Sequence, residues 1–365
     1  MAKSQNIKDN SITIREARKV LDYSIKGNLK RSLMFLGAPG VGKSDFVHQV
    51  AAENDMQVKD LRLLLFSETD LKGIPMPDES TGRTKWLPNS ILPDAERDGE
   101  KGILLIEELT SAPKRVQAAA YQLTLDRRLG DYILPEGWFI VAAGNREDDD
   151  GVYVQMPSPL ANRFQIHTVY PDLNVWKQDY AYAHDVNPLV IAFLNFHSEA
   201  LHTQEPGENS MIFATPRSWV AVSDILNAGA DIQDDFTRIM VEGNVGDQVA
   251  SEFIEFAKHQ QELDKIDDIL EGKDVSAPKQ SEVFYILTST LVGRIASDYK
   301  ETGKINKKWA ENTVNFLASK ASPEFTTLGL MDLIALDPPQ MKKFFLAEVD
   351  SPEFNKFISD NNFMF

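Results

Sequence analysis

The octapeptide at residues 37–44 is the feature of this sequence that most constrains its fold. It reads Gly37-Ala38-Pro39-Gly40-Val41-Gly42-Lys43-Ser44 and matches the pattern G-x-x-x-x-G-K-[ST]. In such a loop the glycines let backbone amides wrap closely around phosphates, the lysine reaches the β and γ phosphates, and the serine hydroxyl ligates Mg²⁺. Because an apolar segment precedes the octapeptide and an amphipathic one follows it, we expect a nucleotide-binding loop between a strand and a helix.

Short apolar segments alternate with helical patterns through the first half of the chain. This alternation predicts a parallel α/β sheet covered by helices. A helix at 12–24, with Ser11 as its N-cap, is expected to precede the first strand. The predicted strands are 32–36, 61–66, 103–106 and 139–143, and the helices between them include 45–52 and 113–125.

The second half of the chain is dominated by helical patterns, because strand signals fade after residue 171. Helices are predicted at 188–201, 216–227, 249–270, 282–298 and 308–321, with turn-rich breaks at 202–209 and 271–280. We therefore expect an α/β nucleotide-binding core at 1–172, a helical lid domain at 173–275 and an all-α C-terminal region at 276–365.

The composition argues against a membrane protein, a disulfide-bonded or transition-metal protein, and a general nucleic-acid-binding protein. No apolar run approaches the roughly 18 residues that span a bilayer, and the polar start of the chain is unlike a signal peptide, so a cytoplasmic protein without membrane insertion is expected. The chain has no cysteine and its six histidines form no i, i+4 pair, so we expect no disulfide and no transition metal. The net charge of −17 disfavours a general electrostatic grip on nucleic acid.

Two adjacent acids end the apolar segment Ile103–Ile106, about sixty residues after the loop. A carboxylate at such a strand end can hold the Mg²⁺ shell, and its neighbour can orient or deprotonate an attacking water. By position we assign the metal role to Glu107 and the catalytic role to Glu108.

Asn145 ends a further apolar segment, and the residues that follow it leave two interpretations. Asn145-Arg146-Glu147-Asp148 is superficially like the guanine-reading N-K-x-D segment of GTPases, but the lysine is missing. The alternative is that Asn145, a polar amide at the end of an apolar strand, resembles the sensor 1 residue of AAA+ proteins, which helps to position water near the γ phosphate. The context favours the second interpretation and an adenine nucleotide, ATP.

Taken together, the loop, the two acids and Asn145 resemble the MoxR and dynein-related branch of the AAA+ ATPases, and the likeness covers about residues 12–226. The resemblance implies that Arg163, in Leu160-Ala161-Asn162-Arg163-Phe164, is an arginine finger reaching the nucleotide of the adjacent subunit. It also implies that Arg217, which follows Pro216, is the sensor 2 residue of the lid. Most relatives have Asp where this chain has Glu107.

Two further segments resemble pore-facing elements of that branch. Residues 67–75 with 84–88 are similar to its insertion into helix 2, and residues 126–135 are similar to the hairpin before sensor 1. Ordinary surface hairpins remain the alternative for both.

The resemblance implies an ATP- and Mg²⁺-dependent ring, a hexamer, that remodels a partner protein, with a von Willebrand A domain protein as the first candidate. Two other functions stay open. One is a nucleic-acid motor with Lys72, Arg83, Lys85, Arg127 and Arg128 lining a basic channel, and the other is a nucleotide-gated scaffold with weak turnover.

Beyond residue 226 the sequence predicts less. The spacing of Phe253, Ile254, Phe256, Leu263, Ile266, Ile269 and Leu270 indicates the core face of a helical region. The aromatic tail, Phe354, Phe357 and Ile358 with Phe363-Met364-Phe365, is either packed on this region or a hook for a neighbour.

Overall fold

A computed structural model describes residues 11–147, 149, 153–204, 211–262, 265–349 and 351–361. The chain forms two compact units. The first comprises Met1–Pro171 and Gln204–Ser210, and the second comprises Asp172–Thr203 and Met211–Phe365.

The first unit is an α/β structure, as the alternating pattern predicts. Its strands are β1 (Ser11–Ile12), β2 (Ser32–Leu36), β3 (Gln57–Arg62), β4 (Ile74–Asp78), β5 (Arg83–Leu87), β6 (Lys101–Glu107), β7 (Arg128–Leu129), β8 (Tyr132–Ile133), β9 (Gly137–Gly144) and β10 (Phe164–Val169). Its helices are α1 (Ile14–Lys26), α2 (Lys43–Glu53), α3 (Glu68–Lys72), α4 (Ala95–Asp98), α5 (Lys114–Asp126) and α6 (Ser158–Ala161), with a 3₁₀ turn at Leu63–Leu65.

The main sheet has the order β1-β10-β2-β9-β6-β3, and all of its neighbouring strands are parallel. Helices α1 and α2 pack their apolar residues on one face, against side chains such as Phe35 and Leu105. Helix α5 covers the other face, against side chains such as Met34 and Leu104. Since both faces are covered, the central strands are continuous apolar runs. Each large side chain that is fully buried there contributes about 1.5–3 kcal/mol.

The start of the first helix differs from the prediction. Ser11 belongs to β1, which pairs with β10, and the N-cap of α1 is Thr13. The Thr13 hydroxyl accepts a hydrogen bond from Glu16 N, and the Glu16 carboxylate accepts one from Thr13 N at 2.8 Å. The reciprocal pair satisfies two amides at the helix start and therefore sets it two residues later than predicted.

The second predicted strand, 61–66, is also placed wrongly. The strand β3 ends at Arg62, and Leu63–Leu65 form a 3₁₀ turn. Strand β3 is an edge strand whose residues are mostly half-buried or exposed. Because it contains charged side chains, its sequence is not an apolar run, and the apolar pattern did not predict it.

The two segments that resemble pore elements are hairpins that contact each other. Strands β4 and β5 form one antiparallel pair, and β7 and β8 form the other. The amide of Trp86, on β5, donates a 2.7 Å hydrogen bond to the Asp131 carboxylate in the turn of the second hairpin. Large apolar side chains on both are exposed, namely Ile74, Met76, Leu87 and Ile133.

The second unit consists of helices and the turns between them, with no strand among its described residues. Its helices are α7 (Leu173–Trp176), α8 (Pro188–Phe196), α9 (Pro216–Asn227), α10 (Asp235–Val245), α11 (Asp247–Ala257), α12 (Ile266–Leu270), α13 (Ser281–Thr302), α14 (Lys307–Lys320), α15 (Pro323–Leu336), α16 (Pro338–Ala347) and α17 (Pro352–Asp360). A π turn at Lys177–Ala181 and 3₁₀ turns at Ser198–Leu201 and Lys258–Glu262 join them. Among the described residues, no helix is long and apolar enough to cross a membrane.

One apolar core runs through this unit from Ala181 to Phe357. It contains the predicted core face, including Phe253 and Ile269; Leu263 lies outside the described residues. Phe354 and Phe357 are also buried in it, so this part of the aromatic tail is packed, whereas residues 363–365 lie outside the described residues. Since the core crosses residue 275, the division between a lid domain and a C-terminal region remains a prediction.

A charged pair lies inside this helical core. Lys177 Nζ donates 2.8 Å hydrogen bonds to the carboxylate of Asp332 and to the side-chain carbonyl of Asn195. The Lys177 and Asp332 side chains are 1% and 3% exposed. Burial and the nearby Asp332 charge raise the pKa of Tyr182 well above its ordinary value, so its hydroxyl stays protonated.

Candidate nucleotide-binding site

The octapeptide forms a tight loop between β2 and α2. Gly40 and Gly42 have φ angles of 75° and 93°, in the left-handed region that residues with a Cβ rarely adopt. Among the described residues, no hydrogen bond is found from the amides of Ala38, Gly40 and Gly42, although Ala38 is buried. Buried amides require a partner, and successive amides before a helix N-terminus are a suitable site for phosphate oxygens.

Lys43, the first residue of α2, folds over this loop. Its ammonium donates hydrogen bonds to the carbonyls of Gly37 at 2.7 Å and Ala38 at 2.8 Å. The positive charge therefore lies beside the same loop whose amides are open. This arrangement suits an anion with several oxygens, such as a polyphosphate.

Ser44, the second residue of α2, is joined to the acid at the end of β6. The Ser44 hydroxyl donates a hydrogen bond to Glu107 Oε1. Arg62, at the end of β3, donates from Nε to Glu107 Oε2 at 2.8 Å. The pKa of Arg62 is raised, first by this hydrogen bond and then by the charge of Glu107. Sequence reasoning did not find Arg62, because its pairing depends on the register between two strands.

Glu108 begins the turn that follows β6 and has an exposed side chain. Its φ angle is 56°, which is left-handed and costs a residue other than glycine about 1–2 kcal/mol. The Glu108 carbonyl accepts hydrogen bonds from Ser111 N at 3.0 Å and Ala112 N at 3.1 Å. The turn thus points the two acids differently, with Glu107 against Ser44 and Glu108 toward solvent.

Asn145 directly follows β9 and is held by Thr110. The buried Thr110 hydroxyl accepts a hydrogen bond from Asn145 N and donates one to Asn145 O, both at 3.0 Å. A Cβ on Gly144 would come within 2.6 Å of this hydroxyl, so the close approach requires glycine. The geometry fixes the backbone of Asn145, and Thr110 is a second residue that the motifs alone did not reveal.

These elements converge at the carboxyl edge of the sheet. The Gly37 amide donates to the Gly144 carbonyl at 3.2 Å, and the Leu109 amide donates to the Ala143 carbonyl at 3.1 Å. Strand β9 lies between β2 and β6, so Asn145 emerges between the loop and the two acids. Ligands of open parallel sheets bind at this edge.

Arg163 does not join that group. Phe164, the residue after it, pairs with Ser32 at the start of β2, whereas the loop follows Leu36 at the end of β2. Arg163 is exposed, and its guanidinium carbon lies 6.0 Å from the ring centroid of Tyr121. It therefore lies at the amino edge of the sheet, on the side away from the loop of its own chain.

Arg217 belongs to the second unit. It is exposed at the second position of α9, after Pro216, and the helix is capped by Thr215, whose hydroxyl accepts a hydrogen bond from Ser218 N. The buried Trp219 anchors this helix start, because its indole donates to the Ala200 carbonyl at 2.7 Å. The arginine thus projects from a helix start that is capped by Thr215 and anchored by Trp219.

The donor groups near the loop fit Mg²⁺ bound together with phosphates. The described residues contain no cluster of three or more His, Cys, Asp or Glu side chains suited to a metal. Magnesium is instead usually held by one or two carboxylates with water and substrate phosphates, and a serine hydroxyl with one carboxylate matches that mode. Ser44 and Glu107 are the residues that would hold it.

Comparison with known families identifies this region. Residues 32–164 match the sequence model of the AAA domain of the dynein-related subfamily. This region is therefore similar to an AAA domain. The matched range includes the octapeptide, both acids, Asn145 and Arg163, whereas Arg217 lies outside it. The match supports the likeness to AAA+ ATPases that the motifs predicted for this part of the chain.

Other comparisons are distant. No curated protein matches the sequence. A putative ATPase from Cytophaga hutchinsonii is 13% identical with a TM-score of 0.35, covering 68% of this chain and 82% of that chain. The RuvB Holliday junction branch migration motor of Thermotoga maritima is 16% identical with a TM-score of 0.39, covering 81% and 85%. NtrX from Brucella abortus in complex with ADP is 12% identical with a TM-score of 0.40, covering 99% and 72%. Because these TM-scores lie below 0.5, no argument rests on these structures.

Proposed function

We propose that this protein is a MoxR-like ATPase that assembles into a hexameric ring and uses ATP hydrolysis to remodel a partner protein. The observation that carries the proposal is the separation of the site residues within one chain. The phosphate loop, the acids and Asn145 share the carboxyl edge of the sheet, while Arg163 lies at the amino edge. Arg163 can therefore complete a nucleotide site only on a neighbouring subunit.

Each site residue has a role that its position allows. Lys43 and the open amides would hold the β and γ phosphates of ATP, and Ser44 with Glu107 would hold Mg²⁺. The exposed Glu108 would accept a proton from the attacking water, which Asn145 would orient. Arg163 of a neighbour and Arg217 of the helical unit would neutralise charge that develops on the γ phosphate, and bound Mg²⁺ would share that charge.

The joined hairpins favour a protein client. Their exposed Ile74, Met76, Leu87 and Ile133 present apolar surface, which is typical of contacts with protein. A partner with a von Willebrand A domain is the first candidate, as the likeness to the MoxR branch implies.

The nucleic-acid motor remains the second candidate, because Arg83, Lys85 and Arg128 are exposed on the same hairpins. Arg127 favours it less. Its half-buried guanidinium donates to the carbonyls of Pro135 at 2.8 Å and Trp138 at 2.6 Å, and burial lowers its pKa. Arg127 therefore stabilises the backbone next to the second hairpin through these hydrogen bonds.

Lys43→Ala tests nucleotide binding. The variant should lose tight ATP binding while its thermal melt stays close to that of wild type, because Lys43 supplies the only side-chain cation in the octapeptide. Calorimetry with ATP and Mg²⁺ measures the affinity. A folded variant that binds ATP normally would remove the phosphate-loop assignment.

A Glu108→Gln trap tests the client. The amide keeps the shape of the side chain but is a poor proton acceptor, so the variant should hold ATP, the ring and its client together. Affinity purification with ATP, compared with Lys43→Ala as the control, should retain a protein specific to the trap. Enrichment of DNA or RNA instead, with hydrolysis that DNA stimulates and salt suppresses, would favour the motor.

A further inference from the structure

Arg62 and Glu107 face each other across two neighbouring parallel strands. In the register of β3 and β6, Arg62 is the direct partner of Glu107. Their side chains meet at 2.8 Å, on the same face of the sheet as α2 and its Ser44. The pairing is thus set by the backbone of two strands.

Glu107 needs such a partner more than an aspartate at the same position would. Glutamate has one more rotatable bond than aspartate, so its carboxylate samples more positions when it is free. Here one carboxylate oxygen accepts from Ser44 and the other accepts from Arg62. With both oxygens held, the added bond no longer leaves the carboxylate free to swing away.

We propose that Arg62 is a positioning residue, which holds Glu107 so that the carboxylate and Ser44 together present a site for Mg²⁺. The proposal rests on the proposed function, since it concerns the metal of the same site. Arg62 does not touch the nucleotide in this scheme and acts only through Glu107. Groups of this kind, which orient a metal-binding residue, typically change metal affinity by about 10–100-fold when they are removed.

An ordinary surface ion pair would behave differently. Arg62 is 63% exposed and Glu107 is 12% exposed, so the pair adds little to folding stability, as exposed pairs do. If the pair had only a structural role, its removal would therefore change neither the folding stability nor the Mg²⁺ requirement by much. A positioning role leaves stability unchanged but alters the Mg²⁺ requirement.

Simple charge repulsion predicts the opposite sign. If Arg62 mainly repelled Mg²⁺, its removal would strengthen metal binding. Because water and salt screen an exposed guanidinium, we expect the loss of orientation to outweigh the relief of repulsion.

The test uses the full chain and a fluorescent ATP analogue, with binding measured as Mg²⁺ is titrated. Arg62→Gln should raise the Mg²⁺ concentration for half-maximal binding about tenfold. Its affinity for the analogue without Mg²⁺ and its melting temperature should stay close to wild type. Arg62→Lys should lie between the two, since an ammonium keeps the charge but not the Nε donor geometry.

A matched control and a double variant locate the effect. Arg238→Gln removes another exposed pair, in which Nε donates to Glu242 at 2.6 Å, and should leave the Mg²⁺ requirement unchanged. Glu107→Asp withdraws the carboxylate by one C–C bond, about 1.5 Å, and breaks the link to Arg62. Adding Arg62→Gln to Glu107→Asp should then change the Mg²⁺ requirement less than twofold.

Two results would overturn the proposal while the proposed function stands. One is an unchanged or lower Mg²⁺ requirement in Arg62→Gln, and the other is an equal effect of Arg62→Gln in the Glu107→Asp background. Failure of the wild-type chain to bind the analogue at any Mg²⁺ concentration would overturn both proposals.

Discussion

Arg163 and Lys43 lie at opposite edges of one parallel sheet. The residue after Arg163 pairs with the first residue of β2, and Lys43 follows the loop that leaves the last residue of β2. Four residues of extended chain separate these register positions, which corresponds to about 13 Å along the strand. In the proposed ring, a single chain would therefore carry two halves of a nucleotide site that face in different directions.

The separation predicts complementation between subunits. Arg163→Ala should bind ATP and assemble but lose turnover by about 10³–10⁵-fold, as for other inserted arginines. A mixture of Arg163→Ala with Glu108→Gln creates some interfaces with both groups intact, so the mixture should hydrolyse ATP although neither variant does alone. Phosphate release before and after mixing measures this. Mixed rings that stay inactive, or full activity of dilute monomeric Arg163→Ala, would contradict the shared site.

Substitutions of the two neighbouring acids should affect different steps, hydrolysis for Glu108 and Mg²⁺-dependent binding for Glu107. Glu108→Gln should bind ATP with Mg²⁺ and hydrolyse it at least a hundredfold more slowly, because general-base catalysis typically contributes 10²–10⁴-fold. Glu107→Gln should instead weaken the dependence of binding on Mg²⁺. Single-turnover hydrolysis and Mg²⁺ titration distinguish them. If Glu107→Gln gives the bound, uncleaved state, the assignment of the two acids is shifted by one residue.

Thr110 should affect hydrolysis through Asn145. Thr110→Val keeps the shape but removes the hydroxyl that bonds both the amide and the carbonyl of Asn145. We expect about a tenfold fall in the hydrolysis rate with ATP affinity unchanged, since one or two lost hydrogen bonds amount to roughly 1–2 kcal/mol. Thr110→Ser, which retains the hydroxyl, is the control and should stay within twofold of wild type. Equal rates in all three proteins would show that Thr110 does not position Asn145.

The buried pair in the helical unit should control stability. Lys177→Met leaves the Asp332 charge buried without its partner and should lower the free energy of unfolding by about 3–5 kcal/mol. Lys177→Met with Asp332→Leu removes both charges and should recover most of the loss. Lys26→Met, which breaks the exposed pair with Asp22, should cost less than about 1 kcal/mol. Urea unfolding followed by circular dichroism compares them, and a small loss in Lys177→Met alone would contradict the prediction.

The sequence predicts those strands and helices whose own residues form a clear apolar pattern. Strand β2 begins and ends where the apolar run does, and β6 and β9 contain their predicted segments, because strands covered on both faces must be apolar. Strand β10 was missed since its Gln165, His167 and Thr168 are polar, and helix α10 was missed within a charged stretch. In both cases few residues are buried, namely Phe164 and Val169 in β10 and Thr237, Val241 and Val245 in α10.

The candidate site also contains residues that the sequence predicts and residues that it does not. The loop and the two acids are contiguous in sequence, so their motifs predict them. The pairing of Arg62 with Glu107 joins residues 45 positions apart, and the Thr110 bonds with Asn145 join residues 35 positions apart. Such contacts depend on strand register and on the turn after β6, which no local pattern encodes.

The left-handed backbone at Glu108 bears on any effort to engineer this protein. Glycine adopts that conformation without the cost that a side chain adds, so Glu108→Gly should be among the stabilising substitutions at surface turns. A screen that selects only for heat resistance would favour this change and discard the proposed catalytic base. Libraries made to stabilise the protein should therefore hold residue 108 fixed, because resistance to heat and turnover make opposite demands at this position.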